Sequence, residues 1–364
     1  MDSDIILVIV VGTALAFDFT NGFHDTANAV ATSISTKALR PRAAVAMAAA
    51  LNFVGAFISL EVAATVADDI VNQGSITLTV VFAGLIGAIT WTLITWYFGL
   101  PSSSSHALIG GVVGSAFAAA GADAVLGDGI LGKVLIPAVI APVVAFLIGA
   151  IAILLIYWIV GRQRPGVVSR GFRLGQIVSG GMFSLAHGTN DAQKTMGIIT
   201  LALIVNGNLG GGSDPPFWVV VSAATAIALG TYSGGWRIIK TMGTRIHKMD
   251  PAQGFAAQGA GAAVILASSH YGFPLSTTQV IAGGVMGSGA AKRLSAVRWG
   301  VAGNIIAAWL LTLPAAAGVG AAVYGFTRIF GTGATGPVIV TLLAIALVIA
   351  AFVRRARAGA PVPV

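Results

Sequence analysis

Eleven apolar stretches follow one another along this chain with only short links between them, which leaves few environments other than a lipid bilayer in which it can fold. They cover residues 5–35, 43–66, 76–98, 102–121, 132–160, 176–205, 217–238, 254–270, 274–290, 299–325 and 335–353. A membrane helix needs about 20 predominantly apolar residues. Only 9% of the 364 residues are charged and 56% are hydrophobic, whereas a soluble domain carries roughly 25% charge. The expected class is therefore an all-α polytopic membrane protein. Three segments fit poorly as simple spans: 5–35 is too long and polar at its centre, and 102–121 and 274–290 are short.

The net charge of +8 would suggest a nucleic-acid partner in a soluble chain. Here 17 of the 20 Lys and Arg residues sit in alternate links between apolar runs, so no nucleic acid is expected and topology explains the charge. Basic links favour the cytoplasmic side, which puts the N-terminus outside and the C-terminus inside, in a multi-pass protein of the cell membrane. The odd number of crossings requires the same arrangement. The acidic start, Met1-Asp2-Ser3-Asp4, is unlike a cleavable signal, so the first apolar run is expected to stay. With no cysteine, disulfide and thiol chemistry are excluded.

The sequence also compares with itself. Asn21-Gly22-Phe23-His24-Asp25-Thr26-Ala27-Asn28 aligns with His187-Gly188-Thr189-Asn190-Asp191-Ala192-Gln193-Lys194, and Pro101-Ser102-Ser103-Ser104-Ser105-His106 with Pro274-Leu275-Ser276-Thr277-Thr278-Gln279. Gly110, Gly111 and Gly114 follow the first hydroxyl run, and Gly283, Gly284 and Gly287 follow the second at the same spacing. Five segments separate the copies, so they should cross the bilayer in opposite directions. The expected organisation is a first inverted repeat over 1–160, a cytoplasmic link over 161–175, a second inverted repeat over 176–325, and an extra C-terminal transmembrane helix with a basic tail over 326–364. Two inverted-topology repeats with broken helices and re-entrant Ser/Thr hairpins are a plan typical of secondary transporters, with the substrate held near mid-membrane.

Asp18, Asn21, Asp25 and Asn28 are spaced to share one helical stripe, and Ser184, His187, Asp191 and Lys194 repeat that spacing. A charge at the bilayer centre costs about 2.5–3.5 kcal/mol on insertion scales, so both stripes should face a protein interior or a wet cavity. Polar glue between helices is the competing role, but it would not explain duplicated carboxylates. Gly22 and Gly188 are expected helix breaks that free carbonyls for a cation. Asp25 and Asp191 are the candidate metal ligands; with Asn28 and Asn190 they offer hard oxygen donors. Asn21, His24 and His187 complete the coupling-ion candidates, the two imidazoles being able to carry a proton. Lys194 would hold an anion directly or neutralise Asp191. Ser103, Ser104 and Ser105, with Ser276, Thr277, Thr278 and Gln279, read as helix starts whose amides and hydroxyls suit an oxyanion. Gly110-x-x-x-Gly114 and Gly283-x-x-x-Gly287 read as close helix packing. The run from Gly127 to Lys133 imitates a nucleotide-binding loop, but Val134 stands where a Ser or Thr is required.

On these motifs the chain resembles the PiT family of inorganic phosphate transporters over essentially its whole length. Gly188-Thr189-Asn190-Asp191 matches the duplicated Gly-x-Asn-Asp type motif of that family, while Gly22-Phe23-His24-Asp25 departs from it with His24 in the Asn position. The string from Asn21 to Ala29 looks like the bacterial low-affinity branch. The resemblance implies a symporter for inorganic phosphate, in that branch proton-coupled and commonly carrying a divalent-metal phosphate complex. It implies Asp25, Asn28, Asn190 and Asp191 among the ion and phosphate ligands, the two hydroxyl tips among the phosphate ligands, and a homodimer in the lipid bilayer. No tightly bound cofactor is expected; the cargo would be phosphate with H+ or Na+, and Mg2+ or another divalent metal. The rivals are a sulfate or other oxyanion symporter of the same architecture, a passive channel, and an intramembrane metal-dependent hydrolase, for which no His-Glu-x-x-His string is present.

Overall fold

Proline, glycine and hydroxyl residues divide the apolar runs into helices at positions that capping chemistry explains. The computed structural model describes residues 2–357, and among these the only β pairing is an isolated bridge between Val71 and Val125. The first half comprises α1 (Asp2–Ser35), α2 (Pro41–Gly55), α3 (Glu61–Asp68), α4 (Leu78–Phe98), α5 (Ser104–Ala120) and α6 (Gly127–Val160). The second comprises α7 (Pro165–Val205), α8 (Phe217–Ser233), α9 (Trp236–Arg245), α10 (Pro251–His270), α11 (Thr277–Ala290) and α12 (Trp299–Arg328), with α13 (Thr335–Arg357) appended. The basic tail expected to run to residue 364 lies outside the described residues after 357.

Pro at the first helical position supplies a preset φ and lacks an N–H that would be unsatisfied there. Pro41 and Pro251 open α2 and α10 in this way, and Asp250 with Gln253 adds a capping box to α10. Pro165 does the same for α7, so most of the link expected at 161–175 is helix, and only 161–164 lie between α6 and α7. Gly99 ends α4 at φ 66°, a left-handed conformation that favours glycine, and the chain turns back into α5.

Four described helices, α1, α4, α6 and α12, are long and apolar enough to cross a membrane, and the α8/α9 pair, bent by 60°, makes a fifth if counted as one span. The more polar expected spans form α7 and α10, with 43–66 divided into α2 and α3. From Gln176 to Leu203, α7 is largely buried in protein. A helix shielded from lipid in this way need not be apolar.

Helix contacts come in matched pairs. α1 packs on α8 and α7 on α2; α5 packs on α12 and α11 on α6; α4 packs on α1 and α10 on α7. The core divides into two apolar clusters, one containing Val10, Ala14 and Phe17 of α1, the other Ala27, Val30 and Ala31 of the same helix. α7 meets these clusters in the reverse order, Phe183 and Ala186 lying in the second and Met196 and Ile199 in the first. Helices α1 and α7 therefore run antiparallel, and both polar stripes fall at the level between the clusters.

The expected breaks at Gly22 and Gly188 do not occur, since α1 and α7 are continuous through both glycines. These glycines bring backbones together instead. A β-carbon on Gly22 would overlap the Ile227 carbonyl of α8, and one on Gly188 the Asn52 carbonyl of α2. Retaining a helical glycine costs about 1 kcal/mol relative to alanine, less than leaving several buried backbone groups unpaired. The interruptions lie at 56–60, 99–103, 234–235 and 271–276. Gly110 and Gly114 meet the Leu313 and Ala317 carbonyls of α12, and Gly283 and Gly287 those of Pro142 and Phe146 on α6, in the packing role expected of them.

Gly188→Val should therefore destabilise the protein by about 1–3 kcal/mol, the usual cost of overpacking, whereas Gly12→Ala, where a β-carbon meets nothing within 4 Å, should not. Thermal unfolding in detergent compares the two, and equal midpoints would refute the close-contact role of Gly188.

Candidate functional site

Four elements converge between the two apolar clusters: the middle of α1, the middle of α7, and the N-terminal tips of α5 and α11. The tips are built alike. Ser103 caps α5 by accepting a hydrogen bond from the His106 amide at 3.0 Å, and Ser276 caps α11 by accepting one from the Gln279 amide at 3.3 Å. Beyond the caps, Ser104, Thr277 and Thr278 are directed at the carboxylates of α1 and α7, while Ser105 donates to the Leu275 carbonyl at 3.0 Å.

Asp25 is 1% exposed and Asp191 fully buried. Ser104 Oγ donates to Asp25 Oδ2 at 2.9 Å, and Thr278 Oγ1 to Asp25 Oδ1 at 3.3 Å. Thr277 Oγ1 donates to Asp191 Oδ2 at 3.3 Å. Asn28 Nδ2 donates to Thr278 Oγ1 at 2.9 Å and Thr277 Oγ1 at 3.3 Å, tying α1 to the tip of α11. Each aspartate thus accepts from the tip in its own half, Ser104 for Asp25 and Thr277 for Asp191. Thr278 reaches across to Asp25, and Ser105 reaches across to the Asp191 cluster through Lys194.

Lys194 Nζ donates to Asp191 Oδ1 at 2.5 Å, Ser105 Oγ at 2.5 Å and the Leu275 carbonyl at 2.7 Å. An ammonium has three N–H donors, and all three are engaged. Of the two roles open to Lys194 on sequence, this conformation displays neutralisation of Asp191, with no donor left for a further anion.

The histidines are held differently. His24 Nδ1 donates to Asp25 Oδ1 at 2.6 Å, while its Nε2 lies 3.3 Å from Thr95 Oγ1 and 3.4 Å from Ser102 Oγ. His187 Nδ1 lies 3.2 Å from Asn52 Oδ1, and Asn52 Nδ2 donates to Thr231 Oγ1 at 2.8 Å, so the amide orientation makes Nδ1 the protonated nitrogen. Nε2 lies 3.1 Å from Asp191 Oδ2, close enough for a proton on Nε2 or a shared cation to join the two groups. One ligand atom each from Asp25, His187 and Asp191 lies within 4.8 Å of the others, close enough to share one ion.

Every binding residue expected from the sequence is buried and near this level, but the residues do not all join one cluster. Asn190 Nδ2 is bound to Ser269 Oγ at 2.9 Å and the Phe273 carbonyl at 3.1 Å, bracing the turn before the α11 tip. Its Oδ1, like Asn28 Oδ1 and Asn21 Oδ1, has no hydrogen-bond partner among the described residues. Gln279 pairs with His106, its counterpart in the first half, at 3.4 Å. Behind that pair a cavity of about 510 Å3 opens between α6, α11 and α12, but its walls, Val139, Pro142, Met286 and Leu310 among them, offer an anion few partners.

Sequence reasoning did not single out Thr95, Ser102 and Asn52 as partners of the two histidines. A lone Asn in the apolar run around 52 was a usable signal, since such a side chain must find a partner inside the bilayer. Thr95 was not distinguishable, because threonines that bond their own helix are common in such segments.

Residues 21–320 match the phosphate transporter family. The chain is 55% identical over 331 residues to a protein named probable low-affinity inorganic phosphate transporter in Mycobacterium tuberculosis (strain CDC 1551 / Oshkosh), a match covering 90% of this chain and 78% of the relative. Proteins of the same name in Rhizobium meliloti (strain 1021) and Bacillus subtilis (strain 168) are 49% and 46% identical, with 88% of this chain and 96% of each relative covered. Among solved structures, one titled the sodium-dependent phosphate transporter superposes with a TM-score of 0.82 at 25% identity, covering 89% of this chain and 99% of the other. These relatives are named as transporters rather than enzymes, and with its long apolar helices and its polar residues gathered inside, the chain belongs to the phosphate transporter family.

Proposed function

We propose that this protein imports inorganic phosphate as a secondary active symporter, with cations as the obligatory co-substrate and alternating access as the mechanism. The observation that carries the reading is the meeting of Asp25 and Asp191, from opposite halves, with hydroxyls from both helix tips in one buried cluster. Two carboxylates in a dry interior need compensating charge. Lys194 supplies one positive charge, and it is committed to Asp191. A dianionic oxyanion cannot enter beside Asp25 until further positive charge arrives.

The competition is local as well as global. Ser104, Thr277 and Thr278 are the donors best placed to hold an oxyanion, and in this conformation they are spent on the carboxylates. Cation binding to Asp25 and Asp191 would free those hydroxyls, and the N-terminal dipoles of α5 and α11 would add to them. Cation first and phosphate second is the order this wiring favours. Asp25 and Asp191 also accept hydrogen bonds, which rewards a protonated oxyanion such as hydrogen phosphate over sulfate.

The membrane potential sets the same demand. Moving one charge through 100 mV is worth about 2.3 kcal/mol, so a dianion driven against an inside-negative potential costs on the order of 4.6 kcal/mol before any concentration gradient. A neutral complex of Mg2+ or another divalent metal with hydrogen phosphate, accompanied by one proton, would instead be drawn inward. The family resemblance and His24 support H+, and the sodium-dependent structural relative supports Na+.

For the architecture we infer two inverted repeats, 1–160 and 176–325, rocking about the cluster, with 326–364 outside the repeat. The protein would sit in the cell membrane as a homodimer with its N-terminus outside. The matched helix contacts and the reversed order of α1 and α7 through the core support the inversion, and the basic links support the orientation.

Counterflow in proteoliposomes tests the carrier reading: labelled phosphate should exchange across the membrane in proportion to protein, and its failure to do so would end the proposal. In the same vesicles, Asp25→Asn and Asp191→Asn should each lower apparent cation affinity by about two orders of magnitude, the scale expected when one member of a buried ionic cluster is removed. Uptake at wild-type cation concentrations would refute that role. His24→Asn should weaken the dependence of uptake on an imposed proton gradient more than it weakens phosphate binding, and an unchanged pH response would discard the coupling role of His24.

A further inference from the structure

Asp18 sits two helical turns before Asp25 on α1, fully buried, and neither carboxylate oxygen has a hydrogen-bond partner among the described residues. Its polar neighbours are Asn21 on the next turn of α1 and Thr195 on α7, and the charges that reach it are those of Asp191 and Lys194. Asn21 Oδ1 and Thr195 Oγ1 are themselves buried without a partner among the described residues. Four oxygen atoms, two from Asp18 and one each from Asn21 and Thr195, are therefore gathered at the α1–α7 contact, where Thr195 and Asn21 interact with the carboxylate without closing a full hydrogen bond to it.

Lys194 acts on Asp18 only at longer range and makes no ion pair with it. Lys194 has already given its three donors to Asp191, Ser105 and Leu275. α4 and α8, which also pack on α1, contain no charged residue. The cluster is also unpaired between the halves. The position matching Asp18 on α7 is Ser184, whose hydroxyl donates to the Gly180 carbonyl of its own helix at 2.7 Å, and the position matching Thr195 is Ala29. A network needed only to hold the two halves together would be present in both. A buried carboxylate added to one half alone has no resident counter-charge, a place that a proton or another monovalent cation can fill.

We propose that Asp18, Asn21 and Thr195 form a second cation site, separate from the one around Asp25 and Asp191, that binds one monovalent cation per transport cycle. Oxygen-only donors with a single formal charge suit a hard monovalent cation rather than a divalent one. The site lies on the helix that carries His24 and Asp25 and borders Lys194, so its occupancy sets the field felt by Asp191 and couples a second positive charge to phosphate entry. This inference rests on the reading of the protein as a cation-coupled carrier.

The test separates the two. Counterflow of labelled phosphate by the unmodified protein, with no ion gradient imposed, reports the carrier alone; its absence would remove the underlying reading. The site is then read from the reversal potential of phosphate flux in proteoliposomes, which gives the net charge moved per phosphate. One arm imposes a sodium gradient at equal pH and the other a pH gradient without sodium, which distinguishes the two sources of a monovalent cation. In whichever arm drives uptake, Asp18→Asn should carry one positive charge fewer per phosphate. Thr195→Val, which removes one neutral ligand, should keep the charge ratio and raise the half-saturating concentration of that cation by about tenfold. Wild-type charge per phosphate in Asp18→Asn overturns the proposal. Should that variant fail to fold, an unchanged half-saturating concentration in Thr195→Val overturns it equally.

Discussion

The structure depends on holding Asp25 and Asp191 close together and out of water. A carboxylate stripped of solvent is tolerated only when donors and positive charge surround it. Here the donors are hydroxyls at two helix tips and the positive charge is an ammonium one turn further along α7. Much else in the fold serves to bring those groups to one level. The α5 and α11 tips must end inside the molecule, so α4 and α10 must turn back on themselves. The stripes on α1 and α7 must face each other, so α1 and α7 must cross in the interior rather than face lipid.

Close backbone contact makes this possible. Gly22 lies against α8 and Gly188 against α2, while Gly110, Gly114, Gly283 and Gly287 press the tip helices onto α12 and α6. With little hydrophobic drive between helices inside a bilayer, association relies on dispersion and on hydrogen bonds between helices. Small residues let both act. The hydrogen bond from Thr26 to the Thr231 carbonyl and that from Thr189 to the Gly55 carbonyl join helices that glycine brings into contact. The precision of the polar cluster therefore comes from apolar packing directly behind it.

Near-symmetry between the halves accounts for the reciprocal wiring, and departures from symmetry show where function adds to structure. Asn28 and Lys194 occupy matched positions, yet one ties the α11 tip by an amide and the other neutralises an aspartate with a full charge. His24 matches Asn190, one pairing with Asp25 and the other bracing a turn. Near-equivalent halves would exchange conformations at little energetic difference, as the proposed alternating access requires. Unequal side chains at the cluster would let the two sides hold different cargo in the proposed cycle.

How much of this could be read in the sequence followed from how local each cause is. The all-helical membrane class, the two motif copies, the hydroxyl-capped tips and the glycine packing ridges were legible because hydrophobic run length, capping and small-residue spacing act over a few residues. The continuity of α1 and α7 through Gly22 and Gly188 was not, because a helical glycine reads the same whether it breaks a helix or admits a neighbour, and Ile227 and Asn52, which decide the matter, are far away in the chain. Nor could the sequence choose between anion contact and neutralisation for Lys194, since that depends on Ser105 and Leu275 arriving from two other helices. Sequence alone determined which residues could not face lipid, because that cost belongs to each side chain. Only the tertiary structure decided which of them face one another, because partners in a dry interior are assigned by packing between segments that share no local signal.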